Sequence, residues 1–251
     1  MKKILLSALF IILCATLSLA QSAGDYNKVE FYGGYSHSRM ESTVGTETVS
    51  FTGGSLAVQP CTSDGRDVFG GNFQHYFCDR RGFNGFDTSI AYNFRRYFGV
   101  KANFTAHFNS DRFVDTFGTG AGSHTDTNNT RDRIYSVLAG LQIKNNSKTA
   151  KFKPFAHALF GFAHLSSTDT QTSVGGGNFV VRDTPTNFAM KLGGGLDVRV
   201  SRKIDLRLIE FDYSPIFGGN RNPSVTTSDF SLAITGRTAN NFSVGFGIVI
   251  H

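Results

Sequence analysis

Residues 85–109 read GFDTSIAYNFRRYFGVKANFTAHFN. Phe86, Thr88, Ile90, Tyr92 and Phe94 alternate with Asp87, Ser89, Ala91 and Asn93. After the turn Arg95–Phe98, Val100, Ala102, Phe104, Ala106 and Phe108 alternate with Lys101, Asn103, Thr105, His107 and Asn109. A period of two sends successive side chains to opposite faces of a strand. Both strand charges fall on one face, so the other face needs apolar surroundings. The same rhythm recurs on both sides of this hairpin and marks eight stretches, the last being Asn240–His251. Their connections alternate. The long ones run 40–82, 110–130, 166–186 and 214–239, and the short ones are Arg95–Phe98, Asn145–Ala150 and Ser201–Lys203. Tight turns at one end and long loops at the other are the pattern of a transmembrane barrel. The expected fold is all-β: an eight-stranded antiparallel up-and-down transmembrane β-barrel with four long extracellular loops.

The first strand, Lys28–Ser38, sets Val29, Phe31, Gly33 and Tyr35 against Glu30, Tyr32, Gly34 and Ser36. In the fourth, Arg133–Lys144, Tyr135, Val137, Ala139, Leu141 and Ile143 face out, while Ser136, Gly140, Gln142 and Lys144 face in. The fifth, Lys153–Leu165, fits two phases. One sends Phe155, Leu159 and Leu165 outward together with His157; the other sends Phe160 and Phe162 outward and leaves Leu159 inside. The sixth, Asn187–Val200, opposes Phe188, Met190, Leu192, Gly194, Leu196, Val198 and Val200 to Lys191, Asp197 and Arg199. The seventh begins with Ile204, Leu206 and Leu208 outside and Asp205 and Arg207 inside, then slips at Ile209-Glu210. That slip is a β-bulge, or it places Glu210 near the outer interface. The eighth has Phe242, Val244, Phe246, Ile248 and Ile250 outward, with Ser243, Gly245, Gly247 and Val249 inward. Phe94, Tyr97, Phe98, Phe152, Phe155 and Tyr213 lie at strand ends and turns, where interfacial girdles favour aromatic rings.

The composition agrees with a barrel. Only 40% of the 251 residues are hydrophobic, Gly numbers 28 and Phe 25. Past the N-terminus there is no run of the ~20 apolar residues that a membrane helix needs. A mean hydropathy of −0.15 is no obstacle, since only every second barrel residue meets lipid. The N-terminus reads as a cleavable signal at residues 1–20: Lys2 and Lys3, the apolar core Ile4–Leu13, then Ser18-Leu19-Ala20 before Gln21. Residues 21–27 form a short periplasmic segment and 28–251 the barrel. Losing 1–20 removes two lysines and no acids, lowering the formal charge from +6 to +4. A pI near 9.3 without a basic cluster does not point to nucleic acid; it suits anionic lipopolysaccharide as a neighbour.

Cys61 and Cys78 remain in the first long loop. In an exported chain an even count points to a disulfide. The bridge would span 16 intervening residues, worth ~3 kcal/mol by chain entropy. The rival is a metal site with His75, but the ligand set is incomplete and the spacing fits no zinc pattern.

Three segments carry a family resemblance: the hairpin Gly85–Gly99, the run Gly193–Arg199 leading into Ile204–Tyr213, and the terminal strand. Together they resemble the small outer-membrane β-barrel family related to the N-terminal barrel of outer membrane protein A. The resemblance implies eight strands, insertion by the outer-membrane assembly machinery and residence in the outer membrane. It also implies a C-terminal insertion signal, which Ser243, Gly245, Ile248 and Ile250 match, although His251 stands where an aromatic is usual. The peptidoglycan-anchoring role of longer relatives is not expected.

The inward charges Glu30, Asp87, Lys101, Lys191, Asp197, Arg199, Asp205 and Arg207 are the first candidate site. An eight-stranded interior is just wide enough for side chains to fill, so these charges form either a salt-bridged plug or the gate of a narrow pore. A lipid-modifying enzyme would need Ser, His and acid groups near the rim. His107 and His164, with Ser110, Asp111, Ser166 and Ser167, are the material for one, and their proximity in sequence alone says little. The second candidate is loop 1, with Arg66, Phe73, Tyr76, Arg80 and Arg81 beside Phe69, His75 and Phe77. These residues suit an extracellular glycan or protein ligand, or they form the loop's own core. The combined expectation is a monomeric, non-catalytic outer-membrane protein with a structural or surface-interaction role. Its neighbours would be membrane lipids and lipopolysaccharide, and no cofactor or metal is called for. A small gated channel is the alternative.

Overall fold

A strand leaves hydrogen-bonding groups bare on both edges, and a sheet must pair or cover its outermost edges. In the computed structural model of this chain the principal sheet does so by closing on itself. The structure describes residues 25–63, 67, 70–117, 124–173, 178–227 and 230–251. The expected signal at 1–20 and residues Arg66 and Phe69 lie outside the described residues.

The elements in chain order are β1 (Val29–Met40), β2 (Val44–Phe51), β3 (Gly54–Val58), α1 (Gly71–Cys78), β4 (Arg81–Asn93), β5 (Phe98–Phe117), β6 (His124–Lys144) and β7 (Phe152–Ser173). There follow β8 (Asn178–Asp183), β9 (Thr186–Arg199), β10 (Ile204–Tyr213), β11 (Ile216–Phe217), β12 (Ser224–Val225), β13 (Phe230–Gly236), β14 (Thr238–Ala239) and β15 (Phe242–Ile250). Eight of these, β1, β4, β5, β6, β7, β9, β10 and β15, pair antiparallel in a ring, and β1 with β15 closes it. Phe31 lies opposite Ile250 and Ser38 opposite Ser243, so the first and last ring strands are in full register.

The alternation sorts side chains as the sequence suggests. Val137, Leu141, Phe162 and Phe246 are 56–64% exposed on the outside. Lys101, Lys144, Asp197 and Arg207 are at most 2% exposed inside. Strand β7 takes the second of its two phases: Phe160 and Phe162 point out while Leu159 and His157 are buried within. Phe155 is buried with them, so it is no part of an aromatic girdle. Phe94, Tyr97, Phe98 and Phe152 do stand exposed at the short-turn end. In β10 the register shifts between Arg207 and Glu210 against both neighbours. Leu208 and Ile209 are consequently both exposed, and Glu210 turns back inside. The slip is therefore a bulge and not the edge of the apolar band.

The long connections differ from solvated loops. The β5–β6 ladder continues past Asn109 without a break to Phe117 opposite His124, so most of the stretch expected as a loop at 110–130 is strand. Strand β7 likewise runs on to Ser173 and is extended sideways by β8. The first connection holds β2, β3 and α1, and β2 also pairs with β13 from the last connection. Polar residues build these ladders because cross-strand backbone pairing, not apolar alternation, satisfies their amides.

Candidate functional site

Ring closure places inward residues from distant parts of the chain in layers along the axis. At the short-turn end, Lys144 Nζ lies 2.9 Å from Glu30 and 2.7 Å from Asp197. Beside it Lys153 meets Asp205 at 2.8 Å, and His251 Nε2 meets the same carboxylate at 2.7 Å. Arg207 forms the next layer. Its Nε and second terminal nitrogen reach Asp197 at 2.8 and 3.2 Å, and its other nitrogen reaches Glu210 at 2.9 Å. The guanidinium carbon is 4.0 Å from the ring centres of both Tyr32 and Phe155. Gly34 and Gly247 make room for Tyr32, since a Cβ at Gly247 would come 2.9 Å from its ring.

One layer up, Lys101 Nζ lies 3.2 Å from Glu210 and 3.3 Å from His157 Nδ1. Above that, Lys191 meets Asp87 at 2.8 Å and Asp212 at 3.5 Å, and His157 Nε2 is 3.0 Å from Asp212. Asn103 and His107 end the polar column, with His107 Nε2 3.0 Å from Ser36 Oγ. Six carboxylates thus face five permanent cations, and His157 and His251 each meet a carboxylate. Each buried charge has an opposite partner, which is what burial of ions requires.

An apolar layer caps this column toward the long connections. Met40, Phe83, Ile134, Leu138, Leu159, Ala163, Ala189 and Ile216 form one buried cluster, with Leu165 packed against it. The ring is therefore filled twice, by ions below and hydrocarbon above.

Seven of the eight expected inward charges join the column. Arg199 does not: it is half-buried at the short-turn rim and donates to the carbonyls of Lys148 and Ser201. It is the last residue of β9, paired with Asp205 where the ring gives way to the turn. Sequence reading did not assign Lys144, Lys153, His157, Glu210, Asp212 and His251 to the network. Lys144 had the right phase, but a partner 114 positions away leaves no local trace. His157, Glu210 and Asp212 also bring ligand atoms within 4.8 Å of one another. Lys101 already puts an ammonium against two of the three, so the space a metal would take holds a cation.

Loop 1 folds back on the extended ring strands. Cys61 and Cys78 are bridged, with Cα atoms 5.4 Å apart. Phe73 stacks on Phe77 at 4.4 Å, and Tyr76 and Phe113 lie 4.9 Å apart. Tyr76 is buried and donates to Asp132 at 2.6 Å, Arg81 pairs with the same carboxylate, and Arg80 pairs with Glu41 at 2.9 Å. Phe73, Tyr76, Arg80 and Arg81 thus all make internal contacts, with Tyr76 buried and Arg80 exposed. The amides of Asn72 and Phe73 both donate to Asp115, at 2.8 and 2.9 Å, which pins α1 to the β5 extension. Nearby carboxylates are held protonated more readily than usual. Burial and then the charge of Asp169 push Glu47 up to about 7, and burial and then Asp132 push Asp169 up to about 7.

Of the rim candidates, Ser110, Asp111 and Ser166 line one groove, and the two histidines stand apart from each other. His107 is inside the ring against Ser36, whereas His164 is exposed and bonded to Thr186 at 2.9 Å. Of the insertion-signal residues, Ile248 and Ile250 are exposed outward and Ser243 is buried inward.

A closed antiparallel ring with an apolar exterior and an ion-paired interior defines the chain's class: a small β-barrel. Solved structures with a similar fold include the attachment invasion locus protein Ail of Yersinia pestis, 14% identical, covering 89% of this chain and 100% of that one at a TM-score of 0.41. The outer membrane protein OprG from Pseudomonas aeruginosa is 12% identical, with 91% and 98% covered and a TM-score of 0.46. The outer membrane protease OmpT from Escherichia coli is 8% identical, with 92% and 99% covered and a TM-score of 0.43. At these identities the likeness concerns the fold alone. No family model matches the sequence, and no curated protein matches it.

Proposed function

We propose that the chain is an eight-stranded transmembrane barrel of the outer membrane, with a sealed lumen and a structural and surface-interaction role carried by its raised hairpins. The observation that carries this is the sorting of side chains around the ring. On β5 the outward residues from Phe98 to Phe108 are all apolar, a span of eleven residues, and a membrane strand needs ~9–11. The interior is ion-paired over the same height and capped by hydrocarbon, which supports a scaffold over a channel. The separation of His107 from His164 supports a non-catalytic role. Lipid, lipopolysaccharide and the assembly machinery are the neighbours this reading brings.

The test is single-channel recording of the refolded mature protein in a planar bilayer. Folding is verified by the shift in gel mobility between heated and unheated samples. A folded, silent protein is the expected result. Discrete, reproducible openings would overturn the sealed lumen and make the ion column a gate.

A further inference from the structure

Residues directly opposite across an antiparallel pair share a face. In the raised part of β5 to β8 one such row is Ser110, Arg131, Thr168 and Arg182. The row above holds Arg112, Asn129 and Thr170, and the row below holds Phe108, Arg133 and Ser166. All four arginines are exposed, and among the described residues none of them makes an ion pair. Arg112, Arg131 and Arg133 line a groove of about 690 Å³ with hydroxyl and amide side chains between them. It includes one carboxylate, Asp111, whose Oδ1 accepts from the Arg112 backbone N–H at 2.8 Å. The Arg131 row continues one strand further to Arg182.

The height of this face gives it meaning. Phe108 ends the unbroken outward apolar run on β5, with Val114 the next outward apolar residue beyond Ser110 and Arg112, and Arg133 lies directly opposite Phe108. Arg131 and Arg112 follow at intervals of two residues, each roughly 7 Å further along the strands. The headgroup region of a bilayer is about that thick on each side. Arg133, Arg131 and Arg182 therefore stand at the level of lipid phosphates and Arg112 just above it, at the end of the barrel that carries the long connections. All four are arginine, whose planar fork suits phosphate oxygens in pairs. The interleaved Ser110, Ser166, Thr168, Thr170 and Asn129 supply the partners that sugar hydroxyls need.

We propose that this face of β5 to β8 binds the phosphate groups of an outer-leaflet glycolipid of the lipid A type, fixing the barrel's depth and one lateral neighbour. The inference rests on the outer-membrane reading above. Its test uses the full mature protein refolded into phosphatidylcholine vesicles containing a minority of diphosphorylated lipid A. Lipid retained per barrel after mild detergent extraction is counted by native mass spectrometry. The variant Arg112→Gln/Arg131→Gln/Arg133→Gln/Arg182→Gln changes only exposed side chains, and heat-shifted gel mobility checks its folding. The expected result is lipid A retained by the parent, at least a tenfold loss in the variant, and no retention of the dephosphorylated lipid by either. Equal retention by parent and variant would overturn the proposal while leaving the barrel reading intact. Retention of added inorganic pyrophosphate without enrichment of lipid A would also overturn it, because the source would then be a soluble anion. A parent that does not insert into vesicles at all would sink both readings.

Discussion

Replacing Arg207 by alanine tests whether the interior is as dry and paired as the geometry implies. Arg207 is 2% exposed and makes three charge-assisted hydrogen bonds, two to Asp197 and one to Glu210. Without it Asp197 keeps only Lys144 at 2.7 Å, and Glu210 keeps Lys101 at 3.2 Å with His157 further off. Breaking a buried ion pair from one side costs ~3–5 kcal/mol, because the remaining charge loses its compensation. Two ring faces also lose a cation, each contact worth about 1–2 kcal/mol when desolvated. The remaining lysines and some water recover part of this, so the expected loss is about 4 kcal/mol, the middle of the buried-pair range. The measurement is urea unfolding in phosphatidylcholine vesicles, read by gel mobility because the chain has no Trp. Arg207→Lys keeps the charge but not the fork or the stacking, and it should fall between parent and alanine. A loss below ~1 kcal/mol, the level of solvent-exposed pairs, would show that these ions are hydrated and refute the sealed, filled interior.

Two further outcomes follow from the external layer. Reducing the Cys61–Cys78 bridge, or replacing both residues by serine, should remove up to ~3 kcal/mol of local stability. The expected signature is faster proteolysis between residues 60 and 80 with unchanged heat-shifted mobility; loss of the barrel itself would contradict a bridge that stabilises only its own loop. Glu47 is raised in the folded state to about 7, so the folded form holds a proton that the unfolded form releases near the ordinary carboxylate value. Its contribution is therefore full at low pH and lost as pH rises from about 4.5 to 7, a change on the order of 3 kcal/mol. The protection factors of amides in β2 and β3, with the intrinsic pH dependence of exchange divided out, should fall between pH 5.5 and 8, and Glu47→Gln should flatten that response. A pH-independent protection factor in the parent would reject the buried protonated carboxylate.

The ring strands were legible because their alternation is enforced by two solvents. Phe86, Ile90 and Phe104 on one face and Asp87 and Lys101 on the other have no alternative arrangement that keeps the charges together. Beyond Asn109 that constraint ends. Arg112, Asn129 and Thr170 are polar on a face beyond the continuous apolar band, so the continuation of β5, β6 and β7 carries no period. Leu159 and Phe155 left the fifth strand's phase open for the opposite reason: the interior is not uniformly polar, since Leu159 belongs to the apolar cap and Phe155 lies under Arg207. Glu210 was hidden by the bulge, and its partner Lys101 lies 109 positions away, a pairing that only closure creates. The loop 1 residues were recognised as a group, but composition alone left binding surface and private core undecided. Tyr76 and Arg81 meeting at one buried carboxylate decide for the core.

The unbroken ladder above Phe108 changes what the outer end of this protein is mechanically. Strand β5 runs nine residues further, to Phe117 stacked on His124, roughly 30 Å of strand at ~3.3 Å per residue. With a barrel strand's tilt of ~35–45° that is still above 20 Å of height. A fringe of loops would have to be ordered by whatever met it, at about 1–2 kcal/mol per residue fixed. A hairpin already laddered to both neighbours has met that entropic cost during folding. Anything docking against its sides therefore meets a preorganised wall, and its affinity is set by contacts rather than by the work of assembling the surface.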